Sequence, residues 1–233
     1  MQAQMKQARK VLLSIYMLDC SPGNRALSPH RGEDDIFDRA LGVEISQSSL
    51  RGYANKLLIE VEKGNISQEQ FDFSTVAAYG AKLLNEVENE KDGITGTNCG
   101  ELAAMGFVKY GRMENNPTIE RMRFDKMDLP ANKAPDHAFL VINRDKDTDP
   151  GDYQSWNEGA FVLDIYARAV YPASEFNEKM VEGQPDFSKG HSKTELVARH
   201  PANTPFPLVQ NIEDFPDGPV AMPIETDPKV RTE

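Results

Sequence analysis

Two apolar segments, 137–142 (HAFLVI) and 160–167 (AFVLDIYA), constrain the fold of this chain more than any other feature. Both contain almost no polar residue, which is typical of strands that are buried on both faces. The polar, turn-rich segment 143–159 separates them, so the two predict an antiparallel pair of strands. The second segment nevertheless carries a carboxylate, Asp164, in its middle.

Asp164 needs a partner in such a strand, because burying a carboxylate costs several kcal/mol unless it is paired. If His137 faces Asp164, Ile142 faces Gly159 and the two apolar segments align end to end. Directly opposite residues of an antiparallel pair share one face of the sheet. This register predicts that Asp164 holds one ring nitrogen of His137 and that the other nitrogen faces a third group.

Cys99 is the candidate for that third group. It stands in ITGTNCGELAAMGF (94–107), where Asn98 is a good N-cap and Glu101 completes a capping box, so a helix is predicted to begin at Cys99. The N–H groups and positive dipole of a first helical turn favour a thiolate and bind an oxyanion. Cysteine, histidine and aspartate then fit the roles of nucleophile, base and orienter. The alternative is a buried structural cysteine and an ordinary histidine at a strand edge.

A family resemblance accompanies this pattern. The segments NCGELA, DHAFLVI and FVLDIYA, in the order Cys, His, Asp, resemble the papain-like and transglutaminase-like cysteine hydrolases over about residues 94–172. They are also similar to the cysteine-dependent effectors that pathogenic bacteria inject into host cells. The resemblance implies an α+β fold in which N-terminal helices pack on a central antiparallel sheet. It implies that Cys99 is the nucleophile, His137 the general base and acid, and Asp164 the orienter.

The activity that this resemblance implies is cysteine-dependent acyl transfer on amide bonds of a protein substrate. The expected protein is a secreted bacterial virulence effector, a thiol protease or a glutamine deamidase, whose substrate is a host protein. Its expected location is the host-cell cytoplasm, or otherwise the bacterial cytoplasm. A transglutaminase or acetyltransferase with the same triad, and a non-catalytic module that binds a host protein, remain as alternatives.

The oxyanion hole and the substrate cleft have weaker candidates. Papain-like proteases often carry a glutamine before the cysteine, but no glutamine lies close upstream of Cys99. The backbone N–H of Cys99 is expected to act there together with Thr95, Thr97 or Asn98. Trp156, the only tryptophan, lies in the loop between the two apolar strands and is predicted either to wall the substrate cleft or simply to pack.

The rest of the chain predicts one catalytic domain over 1–182 and a Pro-rich C-terminal wrap or linker over 183–233. Apolar residues at helical spacing predict three helices before Cys99, with Met5, Ala8, Leu12 and Ile15 on the apolar face of the first and Leu58 on that of the second. Ser67 with Gln70 predicts a capping box for the third helix, and a short strand is predicted after the Cys99 helix. These elements span 3–18, 48–63, 67–90 and 118–124. The segment 20–45 is rich in proline, glycine and charge and is predicted to be a long loop.

Composition excludes several partners. The formal net charge of −11 argues against nucleic acid and against an anionic membrane surface, and no apolar run has the length of a membrane span. The N-terminus fits an amphipathic helix better than a secretory signal with Cys20 as a lipidation site. No cofactor or metal is predicted, because the two cysteines are far apart and the acidic loop 145–152 departs from the calcium-loop pattern.

Overall fold

The computed structural model describes residues 1–17, 21–22, 52–89, 95–124, 137–183, 193–207 and 218–223. Within these residues the helices are α1 (Gln2–Met17), α2 (52–62), α3 (Gln68–Asn89) and α4 (Cys99–Gly111). The strands are β1 (Ser21–Pro22), β2 (Thr95–Thr97), β3 (Ile119–Phe124), β4 (Ala138–Ile142), β5 (Phe161–Asp164), β6 (Ala169–Pro172) and β7 (Thr194–His200). Short 3₁₀ turns cover Tyr153–Ser155 and Ala173–Glu175, and a π-helix covers Asn177–Glu182.

Five antiparallel strands form the central sheet, in the order β6-β5-β4-β3-β7. Helices α1, α3 and α4 pack on one face, and the π-helix with the loop around Trp156 packs on the other. Strands β1 and β2 form a separate parallel pair. The predicted α+β class, with helices on an antiparallel sheet, is confirmed.

Strand β4 lies between two hydrophobic cores, which explains its composition. Leu140 and Ile142 pack with the helices, whereas Phe139 and Val141 belong to the core on the opposite face. Alternate residues of a strand point to opposite faces, so a strand between two cores must be apolar at every position. All five residues of β4 are buried, as the unbroken apolar run predicts.

Small residues let α4 approach both α3 and the sheet closely. A Cβ atom on Gly80 would lie 2.3 Å from the carbonyl oxygen of Ala104, so the two helix backbones are almost in contact there. A Cβ atom on Gly106 would lie 2.9 Å from Cδ1 of Leu140. This close packing fixes the position of the first turn of α4 relative to β4.

Most of the predicted helices before Cys99 are present, with two corrections. The predicted apolar face of α1 is buried, through Met5, Ala8, Leu12 and Ile15. Ser67 caps α3 by accepting the N–H of Gln70 at 3.0 Å, but the Gln70 side chain does not complete a capping box and donates to the carbonyl of Val220 instead. Leu58 on α2 is 40% exposed, although its helical spacing places it on the predicted buried face. Two predictions lie outside the described residues: the start of the second helix at 48, and the loop 20–45 apart from Ser21–Pro22.

Strand β7 is an element that the sequence analysis missed. It lies beyond residue 182, where only a Pro-rich wrap or linker was predicted, and it pairs with β3 at the edge of the sheet. Its residues alternate only weakly between buried and partly buried positions, so its sequence gives little strand signal. The segment 218–223 contacts α3, where the carbonyl of Val220 accepts from Ser74 at 3.2 Å. None of the helices in the described part of the chain is long and apolar enough to cross a bilayer.

Candidate active site

His137 and Asp164 form a buried pair at the end of the sheet where β4 begins and β5 ends. Nε2 of His137 lies 2.8 Å from Oδ2 of Asp164, and neither side chain is exposed to solvent. The other carboxylate oxygen, Oδ1, accepts the N–H of Ala167 at 2.9 Å in the turn after β5. Both oxygens of Asp164 are therefore fixed, and the carboxylate in turn fixes the orientation of the imidazole ring.

The strand register that produces this pair differs from the predicted one by two residues. Leu140 lies opposite Leu163, whereas the predicted register places it opposite Phe161. A shift of two residues leaves every side chain on its original face, so His137 and Asp164 still share a face as diagonal neighbours. The prediction that Asp164 lies in the middle of a strand is wrong, because β5 ends at Asp164 and a turn follows over 165–168.

Helix α4 begins at Cys99, and its first turn is held by a complete capping box. Oδ1 of Asn98 accepts the N–H of Glu101 at 3.0 Å, and Oε2 of Glu101 accepts the N–H of Asn98 at 2.7 Å. The hydroxyl of Tyr79 on α3 donates to the remaining oxygen of Glu101 at 2.8 Å. Cys99, a free thiol that is 9% exposed, thus stands at the head of a helix that is tied to α3.

Asp164 and Cys99 both act on the imidazole of His137. Burial of the ring lowers its pKa, but the charge and hydrogen bond of Asp164, together with the hydrogen bond and electrostatic effect of Cys99, outweigh burial and raise the pKa from 6.5 to about 10. Since Asp164 engages Nε2, the ring nitrogen left for the Cys99 sulfur is Nδ1. This shift favours the imidazolium form of the ring, and an imidazolium beside a cysteine favours the nucleophilic thiolate.

Two aromatic rings complete the surroundings of the imidazole. The Phe139 ring is nearly parallel to it at a centroid distance of 6.1 Å, and the Tyr166 ring meets it edge-on at 5.7 Å. Both rings pack against the imidazole. They also exclude water from the pair with Asp164, which strengthens its electrostatic interaction.

The weaker candidates are distributed differently. Asn98 flanks Cys99, but its side-chain oxygen is already the N-cap acceptor for Glu101. Thr95 and Thr97 belong to β2, the strand that leads into α4, and their side chains lie outside the described part of the structure.

Trp156 belongs to the second hydrophobic core. Its ring packs against Phe176 at a centroid distance of 5.4 Å, and its indole N–H donates to the carbonyl of Asp149 at 3.1 Å. These contacts show that Trp156 packs in this core. The acidic loop is folded by its own side chains, with Asp149 and Asp152 each accepting a backbone N–H two residues on. Among the described residues, no group of three His, Cys, Asp or Glu side chains is arranged to hold a metal ion.

Two residues beside Cys99 were not predicted. Arg121 lies opposite Leu140 in the sheet, and its guanidinium lies beside Gly100 at the first turn of α4. The alternation in IERMRF (119–124), which places an arginine on the same face as the buried Ile119, is a sequence signal for it. Tyr79 gives no local signal, because its contact with Glu101 joins two different helices.

Comparison with known proteins gave no match, whether the chain was compared with family models, with curated proteins or with solved structures.

Proposed function

We propose that the protein is a cysteine-dependent acyl-transfer enzyme that acts on amide bonds of a protein substrate, as a protease or a glutamine deamidase. In this proposal Cys99 is the nucleophile, His137 the general base and acid, and Asp164 the orienter. The fold is a papain-like or transglutaminase-like arrangement. The protein is a secreted bacterial effector, and its substrate is a host protein.

One observation carries this proposal: a buried His137–Asp164 pair whose imidazole interacts with the thiol at the start of a helix. Burying an ion pair costs several kcal/mol of desolvation, and apolar residues of similar volume often stabilise a core as well or better. A purely structural role therefore gives no reason to place this pair beside a cysteine. A catalytic role does give such a reason, because the pair would orient the imidazole and keep it charged beside the nucleophile.

The first half of the reaction forms a thioester. The Cys99 thiolate attacks the amide carbonyl carbon, and the carbonyl oxygen becomes an oxyanion near the N–H groups of the first turn of α4. The carbon–nitrogen bond then breaks, and the His137 imidazolium gives its proton to the leaving amine or ammonia. Asp164 holds the ring so that Nδ1 remains directed at the reacting atoms.

The second half of the reaction releases the acyl group. His137, now neutral, takes a proton from an incoming water molecule, whose oxygen attacks the thioester carbon and displaces the Cys99 thiolate. Water gives proteolysis or deamidation, depending on whether the amide was in a main chain or a side chain. An amine in place of water gives transamidation, which is how a transglutaminase would use the same three residues.

The test compares host-cell protein extract treated with the wild type and with Cys99→Ala. Mass spectrometry should find cleaved peptide bonds or glutamine converted to glutamate only with the wild type. A crosslink instead would assign the transglutaminase alternative, and a new acetyl group the acetyltransferase alternative. Identical modifications with both proteins, or none with either, would overturn the proposal and favour the non-catalytic binding module.

A further inference from the structure

A small pocket lies at the first turn of α4, between α3, α4 and β3. Its volume is about 100 Å³, and its walls include Asn98 and Gly100, the two chain neighbours of Cys99. At ~30 Å³ for each water molecule in the liquid, this volume holds a group of a few heavy atoms. The pocket is therefore of the size of one short side chain rather than of an aromatic ring.

Arg121 forms the positively charged wall of this pocket. A Cβ atom on Gly100 would lie 3.3 Å from Nη2 of Arg121, so the guanidinium lies against the first turn of α4. A guanidinium carries five N–H donors in a fixed planar geometry, and it accepts no hydrogen bond. This wall of the pocket offers donors only.

The opposite wall offers acceptors. The hydroxyl of Thr75 donates its proton to the carbonyl of Phe71 at 2.9 Å, and the hydroxyl of Tyr79 donates to Glu101, so each hydroxyl can act toward a ligand as an acceptor and not as a donor. Glu101, whose charge is opposite to that of Arg121, also lines the pocket. Val76 and Ala104 supply the apolar surface between these groups.

We infer that this pocket is a substrate subsite for a side-chain carboxamide, that of glutamine or asparagine, next to the reacting amide; the inference rests on the proposed role of Cys99. The carbonyl oxygen of a carboxamide accepts from Arg121, while its NH₂ group donates to the hydroxyl oxygens of Thr75 and Tyr79. A carboxylate in the same place would be repelled by the carboxylate of Glu101. An ammonium would be repelled by the guanidinium of Arg121, and an apolar side chain would desolvate the polar groups of the pocket without pairing them.

The experiment uses a series of capped dipeptide chloromethyl ketones that differ only in the residue next to the ketone: glutamine, glutamate, lysine or norleucine. The Cys99 thiolate attacks the methylene carbon, a carbon–sulfur bond forms and chloride leaves. The second-order rate constant is measured by mass spectrometry of the Cys99 peptide. The glutamine probe should react at least about tenfold faster than each of the others, because a site built to hydrogen-bond one group rejects analogues that leave its polar groups unpaired.

Variants test whether the pocket causes this preference. Arg121→Leu and the nearly isosteric Thr75→Val should reduce it to about twofold or less, since the first removes the donors to the carboxamide oxygen and the second removes one of the two hydroxyl acceptors of its NH₂ group. The matched control is Arg123→Leu, an arginine two residues along the same strand that is bound instead by Glu195 at 2.7 and 3.0 Å, and it should keep the full preference. Thr75→Val decides the matter if Arg121→Leu does not fold.

The outcomes separate the subsite from the proposed activity. Rapid labelling of wild-type Cys99 by all four probes at equal rates would overturn the carboxamide subsite and leave the nucleophile intact. A preference for the glutamate or the lysine probe would also overturn it. Labelling of wild-type Cys99 by every probe no faster than in His137→Ala would overturn both the subsite and the proposed enzyme.

Discussion

Nε2 of His137 lies 2.8 Å from Oδ2 of Asp164 in a part of the protein that solvent does not reach. Hydrogen bonds between charged groups contribute about 1.5–3 kcal/mol, roughly twice as much as neutral ones. The same contact orients the ring, holds its charge and leaves Nδ1 for Cys99. The consequences of weakening it are therefore both chemical and structural.

Asp164→Asn should strongly reduce the reactivity of Cys99 while it lowers the free energy of unfolding only moderately. The amide oxygen retains the acceptor for the Ala167 N–H, but the amide nitrogen cannot accept the proton on Nε2, so the ring loses its charge and its correct tautomer. We expect alkylation of Cys99 by iodoacetamide at about pH 6 to slow by about tenfold or more, because an ordinary thiol with a pKa of about 8.5 is almost fully protonated there.

The control for this substitution is Asp152→Asn, which changes a carboxylate in the exposed hairpin loop and should leave the alkylation rate unchanged. The accompanying loss of stability, measured by urea unfolding, should be about 1–3 kcal/mol for Asp164→Asn. An unchanged rate of Cys99 alkylation in Asp164→Asn would contradict the role of Asp164 as orienter.

The raised pKa of His137 makes a definite prediction for stability against pH. The folded protein binds the proton of this ring more tightly than the unfolded chain, since the pKa is about 10 in the folded state and 6.5 is its ordinary value. The contribution to stability is complete below pH 6.5 and is lost as the pH rises through about 10.

Urea unfolding measured between these two pH values should therefore give a free energy of unfolding that falls with rising pH. The free energy of unfolding of His137→Gln should fall less steeply. The two proteins should differ in this loss by at least about 1.4 kcal/mol, the equivalent of one unit of pKa shift. Parallel curves for the wild type and the variant would show that the ring is not held as an imidazolium.

Much of this site can be predicted from the sequence, because several of its parts have recognisable local sequence patterns. The capping residues Asn98 and Glu101 mark where α4 begins, and an unbroken apolar run marks β4 as a strand between two cores. A carboxylate at 164 requires a partner wherever it is buried. The predicted register was wrong by two residues, and the pairing survived because side chains repeat with a period of two along a strand.

The parts that the sequence does not predict depend on contacts between distant segments. Tyr79 reaches Glu101 from another helix, and β7 is defined by its pairing with β3 rather than by its own pattern. The exposed position of Leu58 shows the same limit, since helical spacing identifies one face without saying how wide a stripe the neighbouring elements cover. Tertiary packing decides each of these features.

A second buried charge cluster, away from Cys99, gives a prediction on stability alone. Glu120 in β3 is fully buried and receives Nε and Nη2 of Arg144 at 2.6 and 2.8 Å, together with Nη1 of Arg199. Glu120→Gln removes the charge that pairs both guanidinium groups. We expect a loss of about 3–5 kcal/mol in the free energy of unfolding, because an unpaired buried charge is left behind.

Glu195→Gln is the matched control for that cluster. It also removes a carboxylate paired with an arginine of β3, Arg123, but both side chains are substantially exposed. Its cost should be about 0–1 kcal/mol, as for other surface ion pairs. Urea unfolding of the two variants side by side checks the comparison, and equal losses would contradict the dominant role of burial.

The close contact of α3 with α4 links packing to the position of Cys99. In Gly80→Ala the new methyl group would lie 2.3 Å from the backbone oxygen of Ala104, which is not a flexible side chain and cannot turn aside. The helices must separate, and we expect a loss of about 1–3 kcal/mol in the free energy of unfolding, as in other overpacked cores. Because Tyr79 precedes Gly80 and holds Glu101, the movement should also shift the first turn of α4 and slow the alkylation of Cys99.

The control is Gly52→Ala, which changes a helical glycine with no atom within 4 Å of the added methyl group. It should be neutral or stabilising by up to about 1 kcal/mol and leave the alkylation rate unchanged. Unfolding and alkylation measured on both variants test this, and a Gly80→Ala protein with normal stability and a normal Cys99 rate would show that the interface adapts without moving α4.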